Sequence, residues 1–137
     1  MSARGRTRPE SRRAWIARPR WRISLGSTIA MGPGKADLLE AIGRAGSISA
    51  GARSIGMSYR RAWLLVETMN ACFVRPLVVT SKWRGGGARL TPAGKDVLRL
   101  YREVEARSRA ASRALVADIR RLLGPPSGRR LPFKKGS

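Results

Sequence analysis

A mainly α-helical fold with a small β wing follows from three stretches of the sequence. Residues 46–70 hold two short helical patterns on either side of Gly56. Two β-type runs, 77–82 and 88–91, then flank a glycine triplet, and an apolar 3–4 repeat continues from Pro92 to Leu123. Two helices around a glycine turn, a glycine-rich hairpin after them and a long last helix are the parts of a winged helix-turn-helix with a C-terminal dimerisation helix. The expected organisation is a basic arm over 1–22, the winged domain over 23–91, the long helix over 92–123 and a basic tail over 124–137.

The elements follow in chain order. Residues 1–22 contain eight arginines, one glutamate and two prolines. Such a segment cannot bury enough apolar surface to offset its ordering entropy, so a disordered arm is expected. Ile23, Ser24 and Leu25 alternate with Trp21 in phase, which predicts an edge strand that Gly26 and Ser27 break. Gly32-Pro33-Gly34 is turn punctuation, and Pro33 suits the first position of a helix. Over 35–45, Leu38, Leu39 and Ile42 predict an amphipathic helix closed by Gly46.

In the next stretch Ser49 is the expected cap of the first short helix, whose Ala50, Gly51 and Ala52 allow close packing. Ile55 is expected to point inward, and Gly56 to stop the helix where a left-handed residue costs least. Ser58 then caps a second helix with a buried stripe of Ala62, Val66, Met69 and Phe73. Pro76 ends the connection that follows. Residues 77–82 and 88–91 read as strands joined by Trp83-Arg84-Gly85-Gly86-Gly87. Thr91-Pro92 pairs an N-cap with a proline at the first helical position. The helix it opens would span about 48 Å, more than a domain of this size needs. Val97, Tyr101, Val104, Ser108, Ala111 and Leu115 recur along it at 4-3-4-3-4 spacing, a seam suited to a second copy of the helix. Gly124-Pro125-Pro126 stops it.

Composition bounds the partner. The 137 residues carry 29 Lys+Arg against 8 Asp+Glu, a formal charge of +21. Residues 23–123 alone hold 17 basic and 7 acidic side chains, net +10. A charge of this size favours a polyanion, with nucleic acid first and an anionic membrane surface second. There is no histidine and one cysteine, Cys72, which excludes His-based triads, an intramolecular disulfide and most metal sites. No cofactor or metal is expected, and no enzymatic activity. No window reaches the apolar length of a membrane span. Ser11-Arg12-Arg13 resembles a twin-arginine signal, but Ala17-Arg18-Pro19-Arg20 replaces the apolar run such a signal needs. A cytoplasmic protein is expected.

Several motifs together resemble a known family. Gly46-Ser47-Ile48-Ser49-x-Gly51-Ala52, Gly56-Met57-Ser58-Tyr59-Arg60-x-Ala62-Trp63 and Met69-Asn70 are similar to the N-terminal domain of the molybdate-responsive regulator family ModE. Gly85-Gly86-Gly87-Ala88-x-Leu90-Thr91-x-x-Gly94 and Leu100-Tyr101 follow in the family's order. LysR-type regulators share a looser version. The resemblance covers roughly 22–120 and implies a dimeric winged helix-turn-helix that binds an operator. Full-length members also carry C-terminal molybdate-binding domains. No small-molecule effector domain is expected within these residues.

The expected partner is double-stranded DNA, read by a homodimeric transcriptional regulator. Tyr59, Arg60 and Arg61, beside the cap Ser58, would reach base edges or phosphates from the second helix. Ser49 would meet a phosphate at the first helix, and Lys82, Arg84 and Arg89 would do so from the wing. Val97, Tyr101, Val104, Ala111 and Leu115 would join the subunits. The alternative is a nonspecific, nucleoid-associated binder driven by charge alone.

Overall fold

The computed structural model describes residues 16–82 and 86–124. Residues 1–15, Trp83-Arg84-Gly85 and 125–137 lie outside them, and with them most of the expected basic arm, the expected tail and the expected phosphate contact of Arg84. The chain divides into two units. One holds residues 19–108; in the other, 16–18 and 109–124 are described.

The larger unit opens with a hairpin of β1 (Ile23–Leu25) and β2 (Thr28–Met31), paired antiparallel. Here the single edge strand expected from the sequence is corrected. Gly26 takes a φ of 64°, so Gly26 and Ser27 form a two-residue reversal and the chain returns as a second strand. Helix α1 (Pro33–Ala45) starts at the proline itself and ends at Gly46, whose N–H donates to the Ile42 carbonyl. Helices α2 (Ile48–Ser54) and α3 (Tyr59–Cys72) follow, then a second hairpin of β3 (Val78–Thr80) and β4 (Ala88–Leu90). The last helix, α4 (Pro92–Leu122), is opened by Thr91, whose Oγ1 accepts from the Gly94 N–H at 2.9 Å.

One core joins these elements. Leu38, Leu39 and Ile42 of α1 meet Ile48 and Ala52 of α2, and Ala62, Val66 and Met69 of α3. Met31, Leu77, Val78 and Leu90 close it from the strands. Ala62, Val66 and Met69 are buried as the spacing predicts, and Phe73 packs at the margin. Helix α4 enters the same core through Ala93, Val97, Leu98 and Tyr101. Its first turn lies so close to the Leu77 carbonyl that a Cβ on Gly94 would stand 2.2 Å from that oxygen. Only glycine fits there, because the same carbonyl accepts from the Thr91 N–H at 2.9 Å and cannot easily move.

This packing corrects the expected seam. Tyr101 is 2 % exposed and donates its hydroxyl to the Trp21 carbonyl at 2.7 Å, while the Trp21 indole N–H donates to Ser108 Oγ at the same distance. Tyr101 therefore has no surface to offer a second chain, and Val97 is already packed on its own core. For Val97 and Tyr101, the first part of the apolar repeat, the partner is the chain itself. Val104, Ala111 and Leu115 remain exposed.

Arg102, the next residue, draws three carboxylates together. Its Nη2 donates to Asp37 at 3.0 Å and Glu40 at 2.8 Å, and its Nη1 to Glu105 at 3.0 Å. Burial alone would lower its pKa, but these bonds outweigh it and raise the guanidinium above its ordinary value. The pair Tyr101 and Arg102 thus ties α4 to the first hairpin and to α1.

Burial, followed by the charges of Glu105 and Asp37, raises the Tyr101 phenol above its ordinary 10.0. The folded state holds this proton more tightly than the unfolded state. Its contribution is therefore complete below pH 10 and disappears as pH rises through the raised value. Tyr101→Phe should cost about 1 kcal/mol at neutral pH through the lost hydrogen bond. It should also lose less stability than the wild type on moving above pH 10. Urea unfolding at two pH values checks both; equal alkaline losses in the two proteins would contradict the assignment.

Candidate nucleic-acid interface

Helices α2 and α3 meet across a turn with defined chemistry. The cap of α2 is Ser47, not Ser49: Ser47 Oγ accepts from the Ala50 N–H at 3.0 Å. Ser49 lies inside the first turn with its side chain exposed. The helix begins two residues earlier than the sequence suggested because Ser47 is the extended residue, with Ile48 already buried behind it. Gly51 packs on α1 rather than on α3, where an added Cβ would come within 3.0 Å of the Ile42 nitrogen. Ile55 is another correction. It follows the last helical residue as the C-cap and stands exposed. Gly56 then adopts a φ of 70°, and the Met57 N–H donates back to the Ala52 carbonyl at 2.9 Å. The turn requires that left-handed residue, which glycine adopts at least cost.

Ser58 caps α3 as expected, its Oγ accepting from the Arg61 N–H at 3.1 Å. Tyr59, Arg60 and Arg61 form the exposed first turn. Tyr59 stands edge-on to the half-buried Trp63, ring centres 6.1 Å apart at 78°. At the other end of α3, Asn70 binds the second hairpin. Its Oδ1 accepts from the N–H groups of Leu77 (2.8 Å) and Val78 (3.2 Å), and its Nδ2 donates to the Val78 carbonyl at 3.1 Å. The hairpin also reaches the α1–α2 connection, where the Ala88 N–H donates to the Gly46 carbonyl at 2.8 Å.

Apart from Ser49 on α2, and Arg84 outside the described residues, the predicted contact residues fall into two groups. Ser58, Tyr59, Arg60 and Arg61 share one turn of α3. Lys82 and Arg89 are exposed on the hairpin, whose base is held at Asn70, about 15 Å along the helix from Arg60. Among the described residues, no hydrogen bond or ion pair links the groups.

Ion pairs are unevenly distributed over the described residues. Six of the seven described carboxylates sit in ion pairs: Asp37, Glu40 and Glu105 with Arg102, Glu40 also with Arg44, Asp96 with Arg99, Glu103 with Arg107 and Asp118 with Arg121. All of these lie on α1 and α4. Among the described residues, no carboxylate lies within ion-pair distance of Arg53, Arg60, Arg61, Lys82 or Arg89. Lys35, in the first turn of α1, has its pKa lowered by burial and further by the nearby Arg61, against an opposing contribution from Cys72. No group of His, Cys, Asp and Glu among the described residues could hold a metal ion. No helix among them is long and apolar enough to cross a membrane.

The sequence locates the start of α3 at Ser58 but leaves two features of the helix unread. One is the Asn70 lock, whose only sequence signal is an asparagine late in a helix before a proline-containing connection. The other is Leu64, an apolar side chain 55 % exposed on the outer face of α3. It lies about 200° from both Ala62 and Val66, a phase that periodicity could have revealed.

Fold and charge together define a small, mainly helical domain with two hairpins and an unneutralised cationic helix pair, a surface chemistry suited to a polyanion. Known proteins sharpen this. Over 78 residues, 56% of this chain and 29% of the relative, the sequence is 47% identical to the molybdenum-pterin-binding protein MopB of Rhodobacter capsulatus. It is 35% identical over 107 residues to the molybdenum transport protein ModE of Azotobacter vinelandii, covering 75% of this chain and 40% of that one. Over 71 residues, half of this chain and 27% of the relative, it is 41% identical to the DNA-binding transcriptional dual regulator ModE of Escherichia coli K12. The chain spans less than half the length of each of these relatives. No family model matches. Kinship with the ModE family is supported, and these relatives are named for regulation, molybdenum transport and molybdenum-pterin binding, not for catalysis.

The two serines of α2 give a direct check on its geometry. Ser47→Ala should destabilise the protein by about 1 kcal/mol, the ordinary cost of a lost N-cap. Ser49→Ala should stay within about 0.5 kcal/mol, as exposed substitutions away from such features do. The opposite order in urea unfolding would return the cap to Ser49.

Proposed function

We propose that this chain is a winged helix-turn-helix transcriptional regulator of the ModE type that binds double-stranded DNA in a sequence-specific manner. The observation that carries the reading is the confinement of the ion pairs, among the described residues, to α1 and α4. The carboxylates of α1 and α4 are paired with arginines of the same two helices, whereas Arg53, Arg60, Arg61, Lys82 and Arg89 have no carboxylate within ion-pair distance among the described residues and are open to an outside anion. In this reading α2 and α3 are the helix-turn-helix, α3 lies in the major groove, and β3 with β4 form the wing. Arg60 and Arg61 contact base edges or phosphates, with Ser58 and Tyr59 beside them. Ser49, Lys82 and Arg89 meet the backbone, together with Arg84. The relatives named as ModE regulators support this assignment.

The regulator acts as a homodimer in the cytoplasm. Trp21, Ile23, Leu25 and Ile29 leave an exposed apolar surface at the first hairpin, and Val104 in the same unit, and Ala111 and Leu115 in the other, are exposed as well. Surfaces of this kind are ordinarily covered by a partner. The matched stretch covers at most 40% of the relatives described above, so the reading concerns DNA contact and not the sensing of an effector.

A second reading rests on the formal charge of +21: a nonspecific binder held by phosphate contacts alone. The two differ in what single arginines do. If α3 reads bases, Arg60→Ala should cost about 1–3 kcal/mol of discrimination at one or two base pairs. Arg89→Ala should instead weaken all duplexes alike and reduce the salt slope by about 1. Anisotropy titrations over a set of single-base variants measure both. Uniform weakening by Arg60→Ala would favour the nonspecific reading.

A further inference from the structure

Helix α3 presents one large apolar side chain where its outer face is otherwise polar. Ala62, Val66 and Met69 define the buried side. At 100° per residue, Arg60 and Leu64 are the large side chains of the first two turns that point most directly away from it, about 40° apart and about 6 Å along the axis. Leu64 is 55 % exposed and is not among the residues packed against the core. It has no structural task in its own domain, although Thr68 Oγ1 bonds to its main-chain carbonyl at 2.9 Å. Arg60 and Arg61 flank it toward the helix start without carboxylate partners among the described residues. Glu67, the next outward residue, carries the charge that phosphates repel, which confines close approach to the first two turns.

An apolar group in a cationic setting on a major-groove helix meets one apolar feature of the base edges, the 5-methyl group of thymine. We propose that Leu64 is a specificity-determining residue that packs on a thymine methyl next to the base pair contacted by Arg60. The inference rests on the proposed function, because it requires α3 to lie in the groove. Leucine offers no hydrogen bond, so it selects thymine by contact area alone. It also disfavours cytosine, whose edge at that position carries an amino donor and no methyl.

The test separates this inference from the reading beneath it. Duplexes that bind the full 137-residue chain are selected from random sequence with thymine, and the winning site is remade with deoxyuridine at each thymine in turn. Uracil keeps every hydrogen-bonding group of thymine and lacks only the methyl. The expected result is about fourfold weaker binding at one or more thymines, the factor carried by burying one methyl-sized group. In Leu64→Ala that sensitivity should vanish while preference at the guanine contacted by Arg60 persists. Leu64 is exposed and outside the core, and circular dichroism of the variant verifies that it folds. A selected site that binds equally well with uracil throughout would overturn the role of Leu64 and leave the regulator reading standing. A methyl effect unchanged in Leu64→Ala would also overturn it. A selection that yields no preferred site would remove both.

Discussion

The carboxamide of Asn70 is the constraint on which the arrangement of the interface depends. One side chain late in α3 satisfies two backbone donors and one acceptor at the start of β3. A partly buried N–H left without a partner costs about 1–3 kcal/mol, so this triple bond fixes where the hairpin leaves the helix. Thr91 extends the lock: its N–H donates to the Leu77 carbonyl and its hydroxyl to the Pro76 carbonyl. The same threonine opens α4 through the Gly94 N–H. A continuous chain of polar contacts therefore runs from the end of α3, through the base of the hairpin, into the last helix. The first turn of α3 is presented by elements that cannot shift independently.

The charge pattern follows from helix periodicity as directly as the core does. Glu40 and Arg44, Asp96 and Arg99, Glu103 and Arg107, and Asp118 and Arg121 stand three or four residues apart on their helices, the spacing that brings side chains together. In α3 no such partner exists: residues three and four beyond Arg60 and Arg61 are Trp63, Leu64 and Leu65, and Glu67 has no cation at either spacing. Each exposed pair contributes only about 0–1 kcal/mol to stability. Their larger consequence is to engage the carboxylates of α1 and α4, while Arg53, Arg60, Arg61, Lys82 and Arg89 have no carboxylate within ion-pair distance among the described residues.

Much of this was legible in the sequence, for identifiable reasons. The 3–4 stripe of α3, the cap at Ser58, the left-handed Gly56 and the Thr91-Pro92 helix start are local signals, and local physics fixed them. What escaped depends on distant partners. β2 was hidden because Thr28–Met31 is short and its pairing with β1 is set by a two-residue turn. Tyr101 fell on the expected intersubunit seam because periodicity shows which face is apolar, not what covers it; Trp21, eighty residues earlier, supplies part of that cover. Ser47 and Ser49 are both good caps in isolation. The burial of Ile48 decided between them.

In the proposed function, the first turns of α3 distinguish base sequences rather than merely attract phosphate. Competition between a selected duplex and a shuffled duplex of equal length and composition, at physiological salt, tests it most directly. A sequence-specific regulator should prefer the selected duplex by about a thousandfold or more. Equal competition by the two duplexes would show that charge alone does the binding, and would contradict the role assigned to α3.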